Sequence, residues 1–254
     1  MDNSIPKKIH YCWFGGNPLS PSAIKCIETW KKFFPDYEII EWNEDNYDVH
    51  KIEYISEAYN AKKYAFVSDY ARFDILYQEG GIYFDTDVEV IKSFDDIIQC
   101  GGFMGCEKDG AFDGDDRGDM IAVAPGLGLA TLPGTYLYEQ ILAYYATQHF
   151  INKDGSLNQE TVVTKTTKVL FEYGLKNIKG IQKIAGITIY PKEYFNPFDF
   201  DTHELVITDN SRSIHRYDES WKSKGTKRKE AFLRFIGTKN AKKLVKIKNL
   251  IKGN

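Results

Sequence analysis

The sequence predicts an α/β fold with a mostly parallel central sheet flanked by helices, and three observations indicate it. Short apolar segments rich in β-branched and aromatic residues, such as 7–14 and 37–42, alternate with longer amphipathic segments in the first half of the chain. Glycine pairs close the first strand and the helix that ends at residue 79. The chain has 254 residues, 43% of them hydrophobic, which is enough for a substantial core. Such alternation is typical of parallel strands covered by helices on both faces.

The predicted helices share apolar residues at a spacing of three or four and end near glycine or proline. They cover residues 21–35, 51–63, 68–79, 134–150, 158–173, 227–236 and 239–251. The predicted strands share short apolar runs between turn residues. They cover residues 7–14, 37–42, 82–84, 88–91, 102–106, 120–124, 187–190, 204–208 and 212–216.

Charge divides the chain into two predicted parts, a body domain at 1–221 and a basic helical extension at 222–254. The extension holds twelve Lys or Arg and one acid, a net charge of +11, and the whole chain carries −3, so the body carries −14. Such a tail is suited to an anionic membrane surface, although a solvated basic helix is the simpler interpretation. The acidic body would repel a phosphate backbone, so we expect no nucleic-acid partner.

The compartment expected from the sequence is the cytoplasm, with a peripheral position on the inner face of the membrane as an option. The chain has no run of about 18 apolar residues and does not start like a secretory signal. Its four cysteines form no C-x-x-C pair.

The segment "EGGIYFDTDVEVI", residues 79–91, places two acids directly after an apolar strand. Asp85 and Asp87 are two residues apart, so in an extended segment they face the same way and can converge on one point. Two close carboxylates repel each other unless a cation neutralises them. Mg²⁺ or Mn²⁺ does so and leaves coordination positions open for the oxygens of a diphosphate. The pair therefore predicts a site for a nucleotide-activated substrate, where the metal would stabilise the charge on a leaving diphosphate.

Two other D-x-D triplets are weaker candidates. Asp113 and Asp115 lie in a glycine-rich hydrophilic loop, and Asp199 and Asp201 lie in a turn-like segment. Neither follows an apolar core strand, so we expect neither to bind metal.

Upstream, Asp69 and Arg72 are spaced i, i+3 on the helix that leads into the "GGIYF" strand. The pair could point a carboxylate and a guanidinium into the cleft to bind sugar hydroxyls. Spacing alone favours an ordinary helical ion pair worth roughly 0.2–0.5 kcal/mol, with Ser68 as the helix N-cap.

The longer segment "AFVSDYARFDILYQEGGIYFDTDVEV", residues 65–90, resembles the signature of the DXD-motif, sugar-binding glycosyltransferases of family 32. These include bacterial capsular and O-antigen transferases and, more distantly, yeast α-mannosyltransferases and the glucosylating domains of clostridial toxins. The opening "IPKKIHYCWFGG" (5–16) and the late "SIHRYDESW" (213–221) are also similar to that family. The resemblance implies a GT-A fold and a retaining transfer from a nucleotide sugar that depends on Mn²⁺ or Mg²⁺.

By motif position, the resemblance gives each aspartate a role. Asp85 would lie against the ribose, the sugar and the metal, and Asp87 would be a direct metal ligand. Asp69 and Arg72 would hold the donor sugar, with Arg72 also near the diphosphate.

The resemblance also implies the walls of the donor site. Ser68 and Tyr83 would line the donor pocket, and Trp13, with Tyr11 nearby, would lie beside the nucleobase. A late histidine would complete the metal site, because a neutral imidazole suits Mn²⁺.

At the end of the body, His215 would be the late metal ligand. Trp221 would contact the diphosphate and help to close a loop. On the acceptor side, residues 158–160 are weaker candidates to reach the cleft.

The function expected from these residues is transfer of a hexose, most simply from a UDP-sugar, to a hydroxyl of a growing glycan or lipid-linked oligosaccharide. Three alternatives stay open: a metal-dependent nucleotidyltransferase or phosphodiester hydrolase, a non-catalytic sugar-nucleotide-binding module, and a glycosyltransferase with a protein acceptor. Product analysis separates the first, because a nucleotidyltransferase releases pyrophosphate and a glycosyltransferase releases nucleoside diphosphate.

Overall fold

The computed structural model describes residues 4–111, 120–198 and 204–217. Several predictions from the sequence fall outside these residues: the basic extension at 222–254, Trp221, Asp113 with Asp115, and Asp199 with Asp201. The domain boundary at residue 221 therefore stays a prediction.

The helices and strands in the described part of the chain alternate as the sequence predicts. The helices are α1 (Pro21–Phe33), α2 (Glu53–Asn60), α3 (Tyr64–Glu79), α4 (Asp95–Gln99), α5 (Tyr136–Ala146), α6 (Val162–Glu172) and α7 (Lys192–Phe195). The strands are β1 (Lys8–Cys12), β2 (Glu38–Trp42), β3 (Gly81–Tyr83), β4 (Val88–Val90), β5 (Phe103–Lys108), β6 (Ala122–Val123), β7 (Leu129–Thr131), β8 (Gln182–Ile184), β9 (Ile187–Tyr190) and β10 (Ser213–His215). A short 3-10 turn covers Pro125–Leu127.

The main sheet has the strand order β2-β1-β3-β7-β5-β9-β8, with β6 paired to β5. Strand β1 pairs parallel to both β2 and β3, and β5 pairs parallel to β9. Strand β7 enters antiparallel between β3 and β5, and β8 is antiparallel to β9. The predicted α/β architecture, a central sheet flanked by helices, is confirmed.

A second, two-stranded sheet pairs β4 with β10 in antiparallel register. Val90 lies opposite Ser213, and Val88 lies opposite His215. Helix α1 holds this small sheet in place, because the indole Nε1 of Trp30 donates to the Val88 carbonyl at 2.8 Å. The sheet thereby brings the late segment of the chain next to the residues that follow β3.

Two apolar clusters cover the main sheet. One contains α2, α3 and α5 residues such as Phe73 and Tyr138, and the other contains Trp30, Phe84 and Phe94 from the α1 and β4 side. Gly81, at the start of β3, has φ +96°, and a Cβ there would lie 2.7 Å from the carbonyl oxygen of Lys8. A glycine is therefore needed where β3 passes β1.

The structure corrects the predicted strand at 204–208. Leu205 makes a single isolated bridge to Phe198, and residues 205–207 have exposed side chains. The apolar run "LVI" indicated a strand, but it has no continuous partner among the described residues. Strands β7 and β8 and the short helices α4 and α7 were not predicted, because three to five residues give too short a pattern.

Helix α3 begins at Tyr64, one turn before the predicted start, so the prediction of Ser68 as its N-cap is wrong. Ser68 lies inside the helix, and its hydroxyl donates to the Tyr64 carbonyl at 3.2 Å. The cap position is Lys63, which makes no side-chain capping hydrogen bond. The serine thus bonds back to the preceding turn, as serines inside helices do.

His10 is a fully buried histidine on β1 of the main sheet. The Trp42 Nε1 donates to its Nδ1 at 3.0 Å, so Nε2 carries the proton and donates to the Gly80 carbonyl at 3.0 Å. Burial lowers the pKa of His10 to about 4 from an ordinary value of about 6.5. The imidazole therefore stays neutral in the folded protein at pH values where the unfolded chain takes up a proton.

We expect the free energy of unfolding to fall less between pH 7 and pH 4 in His10→Gln than in the wild type. In the native protein this histidine's contribution is fully present above pH 6.5 and is lost as the pH falls towards 4, by roughly 3 kcal/mol. The substitution removes that term. The measurement is the free energy of unfolding in urea at several pH values between 7 and 4.

His50→Gln is the matched control, because His50 is exposed and its loss should leave the native pH slope. An unchanged slope in His10→Gln would contradict the assignment of a buried neutral imidazole.

Candidate active site

Asp85 and Asp87 lie in the turn between β3 and β4, at the carboxyl end of a buried strand. The Asp85 amide donates to the Gly126 carbonyl at 3.1 Å, and the Val88 amide donates to the Asp85 carbonyl at 3.0 Å. Ligands of α/β sheets bind at this end of the strands. The backbone therefore fixes both acids at the edge where a cleft is expected.

The Arg72 guanidinium is buried, with 3% of the residue exposed, and it links two carboxylates. Its Nη2 lies 3.0 Å from Asp69 Oδ1 and 3.3 Å from Asp85 Oδ1, and its Nε donates to the Ser68 carbonyl at 3.1 Å. It also lies over the Tyr83 ring, 5.1 Å from the centroid, and the Tyr83 hydroxyl donates to Asp85 at 3.1 Å. These contacts bring together five of the residues that the sequence placed in the site.

Burial and charge act in opposite directions on this group. Burial alone would lower the pKa of Arg72, but Asp85, Tyr83 and Asp69 together raise it, so the guanidinium stays charged. Burial raises the pKa of Asp69 to about 6, and Arg72 opposes that rise. The i, i+3 ion pair that the spacing favoured is present, but both side chains are buried, so the energy expected for a solvent-exposed helical pair does not apply to it.

One nitrogen of Arg72 has unused hydrogen-bonding capacity. Its Nη1 is buried and has no partner among the residues that the structure describes. A buried, unpartnered N–H costs free energy unless a ligand or water satisfies it. The guanidinium is thus arranged to donate to a further anionic or polar group.

Asp87 and His215 form a second pair beside the first. Asp87 Oδ1 lies 3.1 Å from His215 Nε2, and both side chains are less than a fifth exposed. The register of β4 with β10 produces this contact, since His215 lies opposite Val88. Burial alone would lower the pKa of His215, but the charge and hydrogen bond of Asp87, together with the charges of Asp85 and Glu107, raise it.

The two aspartates of the DTD motif therefore have different partners, Arg72 for Asp85 and His215 for Asp87. The sequence predicted that both carboxylates meet at one point, and within the described residues they do not form a compact three-ligand cluster with His215. The carboxylate oxygen and imidazole nitrogen at Asp87 and His215 are nonetheless a donor set that suits Mn²⁺. His215 Nδ1, the other ring nitrogen, is buried with no partner among the described atoms.

A different group of ligating atoms lies on α2 and the loop after α5. Glu53, Glu57 and His149 place one ligand atom each within 4.8 Å of one another. The Glu57 carboxylate accepts from the amides of Phe150 and Ile151 at 2.7 and 2.9 Å. These bonds tie the loop to α2, which is sufficient to explain this cluster.

An open cavity of about 500 Å³ lies at the carboxyl ends of β1 and β2. Its lining includes Trp13 and is otherwise Gly15, Gly16, Asn17, Glu41, Asn43, Glu44, Asp45, Tyr59 and Tyr64. Tyr11 is buried in the core, and its hydroxyl donates to Glu41 at 2.7 Å. Trp13 therefore faces the cavity, while Tyr11 supports one of its walls.

Residues 20–102 match the model of a protein family described as glycosyltransferase sugar-binding region containing DXD motif. The match includes Asp69, Arg72, Asp85 and Asp87, the residues that the structure groups at the end of β3. Residues 20–102 are therefore similar to a DXD-type sugar-binding region.

The chain is also similar, over part of its length, to one curated protein. The chain is 29% identical over 103 residues to inositol phosphoceramide mannosyltransferase 3 of Schizosaccharomyces pombe. The matched segment is 37% of this chain and 28% of the relative, so the chain spans little more than a quarter of that protein.

Solved structures with similar chains also have glycosyltransferase titles. PaToxG glycosyltransferase is 21% identical, with a TM-score of 0.47 over 66% of this chain and 69% of that one. The galactosyltransferase LgtC, in complex with donor and acceptor sugar analogues, is 12% identical, with a TM-score of 0.45 over 86% and 91%. At these identities and TM-scores, neither structure supports a conclusion about function. The basis for one is the set of residues within 20–102.

Sequence reasoning missed Gly126 and Glu107. A Cβ on Gly126 would lie 2.0 Å from Asp85 Oδ2 and 3.4 Å from Arg72 Nη1, so no other residue fits against the unmoved carboxylate. Glu107 lies on β5 within electrostatic range of His215, and burial raises the pKa of its carboxyl. Neither belongs to a motif, and only the pairing of distant strands brings them here.

We expect Gly126→Ala to displace the Asp85 carboxylate and to weaken metal-linked nucleotide binding by about tenfold or more, equivalent to about 1.4 kcal/mol. The added methyl group takes the space of Asp85 Oδ2. Isothermal titration with nucleoside diphosphate and Mn²⁺ measures the effect.

Leu127→Met is the control at the adjacent buried position, since a volume-conserving substitution there should leave binding intact. Wild-type affinity in Gly126→Ala would show that the position of Asp85 does not matter for binding.

Proposed function

We propose that this chain is a metal-dependent, retaining glycosyltransferase that moves a hexose from a nucleoside diphosphate sugar to a hydroxyl of a glycan. The observation that carries the proposal is the Arg72 guanidinium held between Asp69 and Asp85, inside a DXD-type sugar-binding region. UDP-hexose is the proposed donor, and the base and sugar are the first variables to test.

Arg72 suits stabilisation of a leaving diphosphate. Its position is fixed by two carboxylates and a backbone carbonyl, and Nη1 keeps an unused N–H. A donor that is oriented before the reaction costs little reorganisation as charge develops on the departing oxygen. Arg72 would therefore act at the moment when the bond between the sugar and the diphosphate breaks.

Asp87 and His215 would hold the Mn²⁺ or Mg²⁺, with Asp85 close to the metal and the ribose. A bound divalent cation supplies positive charge to the diphosphate oxygens. The observation that favours this is the 3.1 Å contact between the Asp87 oxygen and the His215 nitrogen. Trp221, six residues after His215 in the sequence, is proposed to contact the same diphosphate.

Asp69 is proposed to bind hydroxyls of the donor sugar, with Ser68 and Tyr83 beside it. The acceptor hydroxyl attacks the anomeric carbon from the face that the diphosphate leaves. The bond from that carbon to the phosphate oxygen breaks, the bond to the acceptor oxygen forms, and the hydroxyl proton passes to the diphosphate. The chain contributes mainly position and charge to this step.

The cavity at Trp13 is proposed to hold the nucleobase. Its volume of about 500 Å³ and its position at the ends of β1 and β2 suit a base and ribose next to the DXD turn. Trp13 is fixed by a hydrogen bond from its Nε1 to the Asn17 carbonyl at 2.6 Å, so its ring is already oriented for stacking.

The acceptor is proposed to be a growing, lipid-linked surface polysaccharide of a bacterial capsule, reached from the cytoplasmic side. The basic extension at 222–254 would then hold the enzyme on the anionic membrane surface, at about 1 kcal/mol for each Lys or Arg near it. In the described part of the chain, no helix is both long and apolar enough to span a bilayer.

We expect Asp87→Asn to abolish transfer and Mn²⁺-linked nucleotide binding, because the substitution removes the charge that pairs with His215. The measurement is release of nucleoside diphosphate from a panel of nucleotide sugars, with and without Mn²⁺. Asp85→Asn should behave in the same way.

Asp36→Asn, at a carboxylate whose side chain is 76% exposed, is the control and should retain activity. Full activity in Asp87→Asn would rule out the proposed function, and release of pyrophosphate from a nucleoside triphosphate and a sugar 1-phosphate would identify a nucleotidyltransferase instead.

We expect Trp13→Ala to weaken nucleoside diphosphate binding about tenfold or more, because stacking of a base on an aromatic ring is worth about 1–3 kcal/mol. Trp13→Phe should retain most of the affinity. Titration of the free nucleotide with Mn²⁺ present measures both.

Tyr136→Ala is the control, since this aromatic residue is 56% exposed on α5 and does not line the cavity. Equal affinity in Trp13→Ala and the wild type would place the base elsewhere.

A further inference from the structure

Lys165 on α6 is a lysine with no exposed surface. Removing an ammonium group from water costs several kcal/mol, and an apolar side chain of similar size is often as stable or more stable at such a position. Burial lowers the pKa of Lys165. A buried lysine is therefore weak evidence for stability and a reason to look for another role.

The contacts of Lys165 hold the segment just before α6. Its Nζ donates to the Glu160 carbonyl at 2.5 Å and lies 3.5 Å from Glu160 Oε2. The same nitrogen lies over the rings of Tyr54 and Tyr145, at 5.4 and 6.0 Å from their centroids. The ammonium group thus joins the backbone at Glu160 to two aromatic side chains on α2 and α5.

This lysine lies between the Glu160 segment and the Asp69 side of the site. Lys165 is within electrostatic range of both carboxylates, and so are the hydroxyls of Tyr54 and Tyr145. The segment is itself ordered, because Asn158 Oδ1 accepts from the Glu160 amide at 3.0 Å.

Three buried polar groups near Asp69 have unused hydrogen-bonding capacity. The hydroxyls of Tyr54 and Tyr145, and Nη1 of Arg72, have no partner among the described residues. Because buried polar groups are normally paired, these groups near Asp69 point to a polar ligand or to water in its place. A sugar supplies several hydroxyls that both donate and accept.

We propose that Lys165 is a positioning residue for the donor sugar. By bonding to Glu160, Lys165 fixes residues 158–160 as a wall that faces Asp69 and Arg72. Sugar hydroxyls are then bound from two sides, by Asp69 and Arg72 and by the segment that Lys165 anchors. The inference rests on the proposed function and concerns the sugar, whereas the metal and the base are bound by other residues.

Lys165→Met tests the inference, because methionine keeps the apolar stem and removes the charge and the donor. The matched control is Lys168→Met, which removes an exposed lysine about one turn further along α6. Melting temperature, affinity for the nucleoside diphosphate, and affinity and turnover for the nucleotide sugar are measured for the wild type and both variants, all with Mn²⁺.

The expected result is specific to the sugar. Lys165→Met should melt near the wild-type temperature and bind the nucleoside diphosphate within about twofold, but lose about tenfold or more in nucleotide-sugar affinity and in kcat/KM. Lys165→Met should also discriminate less well than the wild type between sugars that differ at one hydroxyl. Lys168→Met should match the wild type, and Lys165→Gln, which keeps a neutral donor for the Glu160 carbonyl, should be intermediate.

Two results would overturn the inference. Equal nucleotide-sugar affinity in Lys165→Met and the wild type would exclude the role. A fall in melting temperature in both Lys165→Met and Lys165→Gln, with parallel loss of nucleoside diphosphate binding, would identify a structural lysine. The proposed function fails if the wild type binds nucleoside diphosphate but no nucleotide sugar. That result is seen in the wild type, so it is distinct from the two results above, which are seen in the Lys165 variants.

Discussion

The arrangement of the whole site depends on one buried cation, the guanidinium of Arg72. It lies between Asp69 and Asp85, at 3.0 and 3.3 Å, with the ring of Tyr83 beside it. Without this charge, the buried Asp69 carboxylate and the part-exposed Asp85 carboxylate would repel each other at the end of β3. Helix α3 and strand β3 must therefore keep one relative position, and the turn that carries the DTD motif starts from it.

A second constraint is backbone pairing between distant parts of the chain. Strand β10 reaches β4 in a register that puts His215 opposite Val88 and beside Asp87. Trp30 and Thr29 of α1 hold β4 through hydrogen bonds to Val88 and Val90. The metal-ligating candidates are thus fixed by three elements that lie far apart in sequence.

The sequence predicted the parts of the fold that have strong local patterns. Helix α3, strand β3 and the acids after it follow from periodicity, a glycine stop and an apolar run. The three-residue strand β7 was missed and residues 204–208 were wrongly predicted as a strand, because so few residues do not distinguish a strand from a loop. Pairing, rather than composition, decides both.

The candidate site divides in the same way. Asp69, Arg72, Asp85 and Asp87 could be named from one continuous segment, and His215 from a second. The split of the two aspartates between Arg72 and His215 could not be predicted, since it depends on the β4–β10 register. Gly126 and Lys165 have no motif, and their roles follow from what packs against Asp85 and Glu160 in three dimensions.

The pairing of β10 with β4 also sets an order of assembly. Arg72, Asp69 and Asp85 lie within one stretch of chain and can come together early, because contacts between residues near in sequence form with a small loss of chain entropy. His215 joins Asp87 only when Ser213–His215 docks on Val88–Val90, closing a loop of more than a hundred residues. During synthesis from the N-terminus, the arginine cluster can therefore exist on the ribosome before the histidine has been added. A nascent chain would then hold the Arg72 cluster before the Asp87–His215 pair.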